Sequence, residues 1–337
     1  FDGKRILFSM RRNINDNYHI YEITADGSQQ RQLTGAPDVT DIDPIYLPEG
    51  DIIFSSTREP KYCMCNQHIM ANLFRMESDG ANIQQIGKST LFEGHPALMP
   101  DGRILYDRWE YVDRNFGDAQ GIWTVNPDGT NHAVFYGNNT WSPGGVIDAR
   151  PVPGTDMVIC VLGSCHDRPW GAIGLLDNRR GMDGRDAVLQ TWPTSAIDLV
   201  STGEGKEGYG FDNFIQVNPK YEDPYPLDEK YFLCSRMTGN GEEMGIYLID
   251  VFGNETLVHV ESPGCFDPMP LAPREDVPSV IPKRNYEDKT GSFYVADVYE
   301  GTHMQGVERG TVKYLRVVES PEKRFFANPA WGGQGVH

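Results

Sequence analysis

The chain has 337 residues, 48 acidic against 30 basic, and a formal charge of −18. Phosphate binding needs a basic surface, so this balance argues against nucleic acid and against an anionic membrane surface as partners. No apolar run reaches the roughly 20 residues of a membrane-spanning helix. The six cysteines are irregularly spaced, define no disulfide scaffold and leave the redox compartment open.

In chain order the sequence reads as short strands grouped in repeats. The first unit has strands at 4–9, 19–23 and 29–33, and the second at 43–48, 51–55, 72–76 and 82–86. The third has 95–102, 103–106, 121–125 and 132–136, and the fourth 148–154, 157–161, 172–176 and 187–191. A more irregular stretch, 192–227, precedes a fifth unit at 231–235, 245–249 and 256–260. A sixth begins at 267–273 and continues at 291–298 and 311–318.

The clearest repeat is a hairpin, Gly-Ile-Trp-Thr-Val-Asn-Pro-Asp-Gly-Thr-Asn-His at 121–132. Its Asp-Gly pair tolerates the positive φ of a tight turn, and it recurs at Asp26-Gly27 and Asp79-Gly80. A hairpin repeating about every 50 residues predicts an all-β fold, a six-bladed β-propeller with four antiparallel strands per blade. Residues 1–320 are read as this single propeller and 321–337 as the start of a following segment. The first unit lacks its innermost strand and the last a clear outermost one. Closure is therefore expected from residues before Phe1, from 323–327, or from both.

Blade geometry sorts the loops onto two faces. The turns 47–50, 99–102 and 126–129 are short and generic, and their face receives no functional reading. The other face carries long loops, 56–70, 107–120, 163–171, 236–244 and 299–310, and crossings with Asp41, Asp43, Glu93, His95, Cys265 and Asp267. Polar loops held on a rigid scaffold are where ligands bind. The candidate ligand-binding residues are Arg108, Tyr111, Asp113, Asp148, Arg150, Arg168, Trp170, Asp223, Arg236 and Asp267. Arg168 is expected to meet a carboxylate with Trp170 beneath it, and Cys160 and Cys234 to be core.

A divalent metal is the candidate cofactor, because thiolate and imidazole suit zinc-like ions. Cys63, Cys65 and His68 offer such donors within six residues, Cys165 and His166 offer two more, and His95 and His303 complete the set. The competing reading is a structured loop with free or disulfide-bonded thiols. Asp43, His95, Asp148 and Asp267 begin the inner strands of their units. Together they make a ring able to hold a cation, or else each one fixes a turn.

Residues 1–9 and 95–106 resemble the Pro-Asp-Gly-Lys-Arg-Ile-x-Phe-Ser pattern of TolB-like propellers, and 19–27 resembles their Ile-Tyr-x-x-x-x-Asp-Gly pattern. A closer resemblance covers nearly the whole chain. Phe92-Glu-Gly-His-Pro, Asp107-Arg-Trp-Glu-Tyr-Val-Asp-Arg-Asn-Phe, Gly163-Ser-Cys-His-Asp-Arg-Pro-Trp-Gly, Lys220-Tyr-Glu-Asp-Pro-Tyr-Pro-Leu and Tyr299-Glu-Gly-Thr-His-Met-Gln-Gly look like hydrazine synthase alpha-subunit-like proteins. The resemblance implies an exported, periplasmic or cell-envelope protein. It also implies a propeller followed by a middle domain, beyond which the true synthases bind c-type haem. No Cys-x-x-Cys-His occurs in this sequence, so no covalent haem is expected in it. The expected function is a binding and assembly module whose ligand, C-terminal domain or partner subunit docks on the long-loop face. The alternative is a metal- or haem-dependent redox segment whose cofactor domain lies beyond this chain.

Overall fold

A computed structural model describes residues 2–63, 65–110, 120–202, 210–274, 277–301, 304–319 and 321–326. Nearly all its regular structure is antiparallel sheet. The first sheet holds β1 (Arg5–Met10), β2 (His19–Thr24) and β3 (Gln30–Gln32). The second holds β4 (Asp41–Tyr46), β5 (Ile52–Ser56), β6 (Asn72–Met76) and β7 (Gln84–Gln85). The third holds β8 (Phe92–Leu98), β9 (Ile104–Trp109), β10 (Gln120–Val125) and β11 (Ala133–Tyr136). The fourth runs β12 (Gly145–Pro151), β13 (Val158–Gly163), β14 (Gly171–Leu176) and β15 (Val188–Trp192). The fifth runs β16 (Tyr221–Pro226), β17 (Tyr231–Met237), β18 (Met244–Asp250) and β19 (Glu255–His259), bridged to the fourth by Gly171 and Tyr221.

The sheets stack in chain order because each second strand is apolar on both faces. In β13, Cys160 and Leu162 pack toward the third sheet, while Ile159 and Val161 pack toward the fifth. Side chains alternate along a strand, so a continuous apolar run is what a doubly covered strand requires. The same division recurs in β5, where Ile52 and Phe54 face the first sheet and Ile53 faces the third. Cys160 and Cys234 are fully buried members of these inter-sheet layers.

The Asp128-Gly129 turn shows how one sheet locks to the next. Gly129 has φ +80°, and a β-carbon there would come 2.7 Å from the Ile86 carbonyl of the second sheet. Gly129→Ala is expected to cost about 1–2 kcal/mol from the left-handed backbone, and more from the clash. Gly154→Ala, at φ +71° with nothing within 4 Å of the added carbon, should cost only the first of these. Urea midpoints of the two variants measure the difference, and equal midpoints would remove the contact from the account.

Two expectations are corrected after the fifth sheet. First, no strand follows His259 among the described residues, so 291–298 and 311–318 are not ladder strands here, and no strand of the fifth sheet pairs with the first. Pro268, Pro270, Pro273, Pro278 and Pro282 deny a ladder its N–H donors at the start of this region. Second, the short-turn face has a role, because this run of chain is bound across it. Ser279 donates to Glu49 (3.2 Å), the Lys283 and Arg284 N–H groups donate to Asp128, and Tyr286 donates to Gln84 (2.6 Å). A smaller difference is β16, an ordered strand inside the stretch read as irregular.

Residues 321–326 return to the loop of the second sheet. The Tyr62 N–H donates to the Lys323 carbonyl (2.8 Å), and Lys323 is 2% exposed with its ammonium 4.1 Å from the Phe326 ring centre.

Candidate functional site: a ring of carboxylates at the inner strands

The inner strands β4, β8, β12 and β16 lie next to one another, and each carries the same irregularity. In every one the register slips so that two residues oppose a single residue of the neighbouring strand, as a β-bulge does. The first bulge residue is Asp43, His95, Asp148 and Asp223 in turn, with φ between 47° and 54°. Asp267 has φ 50° and extends the series beyond the fifth sheet. Asp is among the few side chains that tolerate this conformation, and a proline in three of the four bulges takes a place where no ladder N–H is needed. Non-glycine residues in this region of backbone space cost energy, and such strain gathers at functional sites.

Hydrogen bonds pass from one unit to the next around the series. Asp43 accepts the His95 N–H (3.3 Å), Asp107 accepts the Asp148 N–H (3.5 Å), and Asp223 accepts the Asp267 N–H (3.0 Å). His95 Nδ1 lies 2.6 Å from Asp107, whose second oxygen is buried with no hydrogen-bond partner. Arg150 lies 3.4 Å from Asp148, and Ser235 donates to Asp223 (2.8 Å).

The ring is electrically one object with too much negative charge. Burial pushes the Glu222 carboxyl up to about 8, reinforced by Asp223 and Asp267. Burial and then Asp223 push Asp267 up to about 6, and Asp148 and Asp223 are also raised, chiefly by burial. For His95, burial opposes the charge, but Asp107, Asp43 and Asp148 together hold its pKa well above the ordinary histidine value. Arg150 is held charged against burial by Asp148, Asp267 and Asp223. His95 and Arg150 are therefore the cations set among Asp43, Asp107, Asp148, Glu222, Asp223 and Asp267. Among the described residues no three ring donor atoms lie within 4.8 Å of one another.

The sequence-derived residues fall into separate places. Asp148, Arg150, Asp223, Asp267 and His95 belong to the ring. Arg108 is held by Glu93 (3.1 Å) and Glu110 (2.7 Å) over the Trp123 ring, and Arg236 by Glu255 (2.7 Å) over Tyr247. Both guanidiniums hold their own sheets together. Arg168 meets Glu242 (2.6 Å) and lies 4.1 Å from the centre of the buried Trp170 ring, as the sequence suggested. Tyr111, Asp113 and His303 lie outside the described residues.

The thiol-rich loops make contacts of their own. The Cys63 and Cys65 sulfurs are 3.2 Å apart, with His68 further along the same loop. The Cys165 thiol is pushed up to about 12, first by burial and then by Asp212, Cys65 and Cys63, which places it near that pair. His166 pairs instead with Asp212 (2.8 Å). No three of these donors converge within 4.8 Å among the described residues. The set also does not fit c-type haem attachment, since Cys63 and Cys65 are two apart rather than three and Asn66, not His, follows them.

Sequence reasoning missed Asp107 and Glu222. Asp107 had a signal, because it stands opposite Gly94 beside the bulge and is the acid next to the one histidine in a series of aspartates. Glu222 directly precedes Asp223, but its burial depends on β16, which had been read as irregular.

No family model and no curated protein sequence matches this chain. Solved structures do. Hydrazine synthase of Kuenenia stuttgartiensis is similar with a TM-score of 0.59 and 20% identity, over 77% of this chain and 38% of that one. TolB from Acinetobacter baumannii is similar with a TM-score of 0.49 and 15% identity, over 77% of this chain and 53% of that one. The chain thus spans less than two thirds of the length of either. At 20% identity the likeness to hydrazine synthase is one of fold alone, shared over the five sheets.

Proposed function

We propose that this chain is a β-propeller binding and assembly module of an exported hydrazine synthase alpha-subunit-like protein. In this reading the ring takes a cationic group, an ammonium, a guanidinium or a hydrated cation, from a ligand or partner on the long-loop face. The observation that carries it is the crowding of carboxylates, with the buried Asp107 keeping an unpartnered oxygen, the half-buried Glu222 pushed up to about 8 by burial and its neighbours, and Asp267 raised beside Asp223. A charged group without a partner in such surroundings is costly, and an incoming cation removes the cost. Six blades belong to the same proposal, with Asp267 in the sixth inner position. Export rests on the sequence resemblance.

Thermal melts at pH 8 with spermidine and with Ca²⁺ test the reading. A ligand at 100 times its Kd stabilises by about 2.7 kcal/mol, so a concentration-dependent rise is expected with spermidine. Asp223→Asn/Asp267→Asn should abolish it. A rise that survives in the double variant, or none with either cation, rejects the ring as the site.

A second reading has its own observation, the close Cys63 and Cys65 thiols with Cys165 nearby. These would be one protein's share of a redox or soft-metal site completed by another domain.

A further inference from the structure

A different set of donors converges at the end of the fifth sheet. His259 closes β19, Glu261 follows two residues later, and Cys265 lies on the crossing that leads to Asp267. Their ligating atoms lie within 4.8 Å of one another, and His259 Nε2 is 3.6 Å from the Glu261 carboxylate. Among the described residues this is the one place where three such atoms meet. In a tetrahedral site with bonds of about 2.0–2.3 Å, neighbouring ligands are about 3.3–3.8 Å apart. The histidine and glutamate already have that spacing, and the sulfur lies within 4.8 Å of both.

The backbone holds the three in this arrangement for reasons unconnected with a metal. His259 pairs with Ile246 on β18, and the Cys265 N–H donates to the Met244 carbonyl (3.0 Å) at the start of the same strand. The chain between them must double back, and Ser262-Pro263-Gly264 makes that turn. His259 and Glu261 have side chains 59% and 72% exposed, so an ion reaches them without any opening of the fold.

We infer that His259, Glu261 and Cys265 form a zinc-class divalent metal site with three protein ligands and an open fourth position. The chemistry of the donors selects the ion class. One imidazole, one carboxylate and one thiolate suit zinc and its borderline-soft neighbours, while calcium and magnesium prefer oxygen alone. Thiolate and carboxylate together neutralise a divalent ion. Bound there, the metal ties the last strand of the array to the crossing that carries Asp267. The site is independent of the cation proposed for the ring, since it shares no residue with it.

Co²⁺ added to the purified chain is the probe, because a thiolate ligand gives a sulfur-to-cobalt charge-transfer band that Zn²⁺ then displaces. One equivalent is expected. Cys265→Ser should remove the band, and His259→Gln should weaken binding by more than about 100-fold, beyond what losing an outer hydrogen-bond partner costs. The Cys63→Ser/Cys65→Ser/Cys165→Ser variant should keep the band unchanged. The assignment is overturned if no band appears, if the band persists in Cys265→Ser, or if the triple-serine variant loses it. Circular dichroism of each variant confirms that the fold is kept, which His259→Gln, an exposed change, ensures for at least one arm.

Discussion

Asp267→Asn together with Glu222→Gln should raise the melting temperature at pH 8, although both replacements remove charge from the candidate site. Folded Asp267 titrates at about 6 and Glu222 at about 8, each above its ordinary value because of burial and neighbouring carboxylates. Between about pH 4 and pH 8 the native state therefore binds more protons than the unfolded chain, and stability falls as pH rises. His95 acts in the same direction. Its pKa is raised in the fold, so its contribution is complete below about 6.5 and is lost as pH climbs through the folded value. Each pKa unit corresponds to about 1.4 kcal/mol. Asp267 is exposed, so solvent screens much of its share, and neutralising the two carboxylates should recover about 1–3 kcal/mol, or a few degrees. Asn keeps the backbone conformation at 267, since it too tolerates positive φ. Melts at half-unit steps from pH 5 to 8.5 should show a wild-type decline that the double variant flattens. A wild type with no slope, or a double variant that melts lower at pH 8, would sink the charge-excess account.

The opposite sign is expected at Glu93. Its carboxylate is fully buried and accepts from the Leu73 N–H (3.3 Å), the Ser89 N–H (3.1 Å), Asn72 (2.9 Å) and Arg108 (3.1 Å). Lys61, also buried, donates to Asn72 and the Ser89 carbonyl, with its pKa pulled down to about 8 by burial and partly restored by Glu93. One carboxylate thus joins β6, the 87–89 turn and β9, and helps to balance the buried Lys61 and the partly buried Arg108. Gly87 is glycine because a β-carbon there would overlap this carboxylate. Breaking a buried pair by removing one partner costs about 3–5 kcal/mol, and Glu93→Ala should fall in that range. Arg179→Ala provides the contrast. Its pair with Asp156 lies at the surface, the two side chains being 61% and 70% exposed. Its other partner, Asp177, is buried but also meets the guanidinium from the water side. A pair whose cation stays in solvent is worth about 0–1 kcal/mol. Denaturant midpoints at constant m-value measure both. A Glu93→Ala loss no larger than the Arg179→Ala loss would show that the cluster is not a stabilising pin.

How much of this could be read from the sequence depended on whether the signal was local. The hairpins at 19–27, 72–80 and 121–132 were legible because Asp-Gly turns and apolar alternation are written within a dozen residues. The equivalence of Asp43, His95, Asp148 and Asp267 was legible by their matching places in the repeat, but the first three lie at a bulge inside their strands rather than at the starts, and Asp267 is in no strand among the described residues. The tail was misjudged for a different reason. The apolar alternation at 291–298 and 311–318 has strand character, but a strand also needs a neighbour with open donors, and that is decided far away in sequence. The His259, Glu261 and Cys265 cluster was invisible for the same reason. Its spacing matches no familiar ligand motif, and only the turn at 262–264 and the Cys265 bond to Met244 bring the donors together.

The bond from the Arg284 N–H to Asp128 spans 156 residues of chain. At about 5–20 residues per second, synthesis of that interval takes about 8–30 s. The third sheet and its Asp128 turn are thus complete long before the segment that covers them exists. The face with the short turns is therefore finished well after the sheets that form it, and every newly made molecule presents it bare for a time. Its polar Asp-Gly turns, rather than exposed apolar strands, are what a surface with that history needs to remain soluble until its cover arrives.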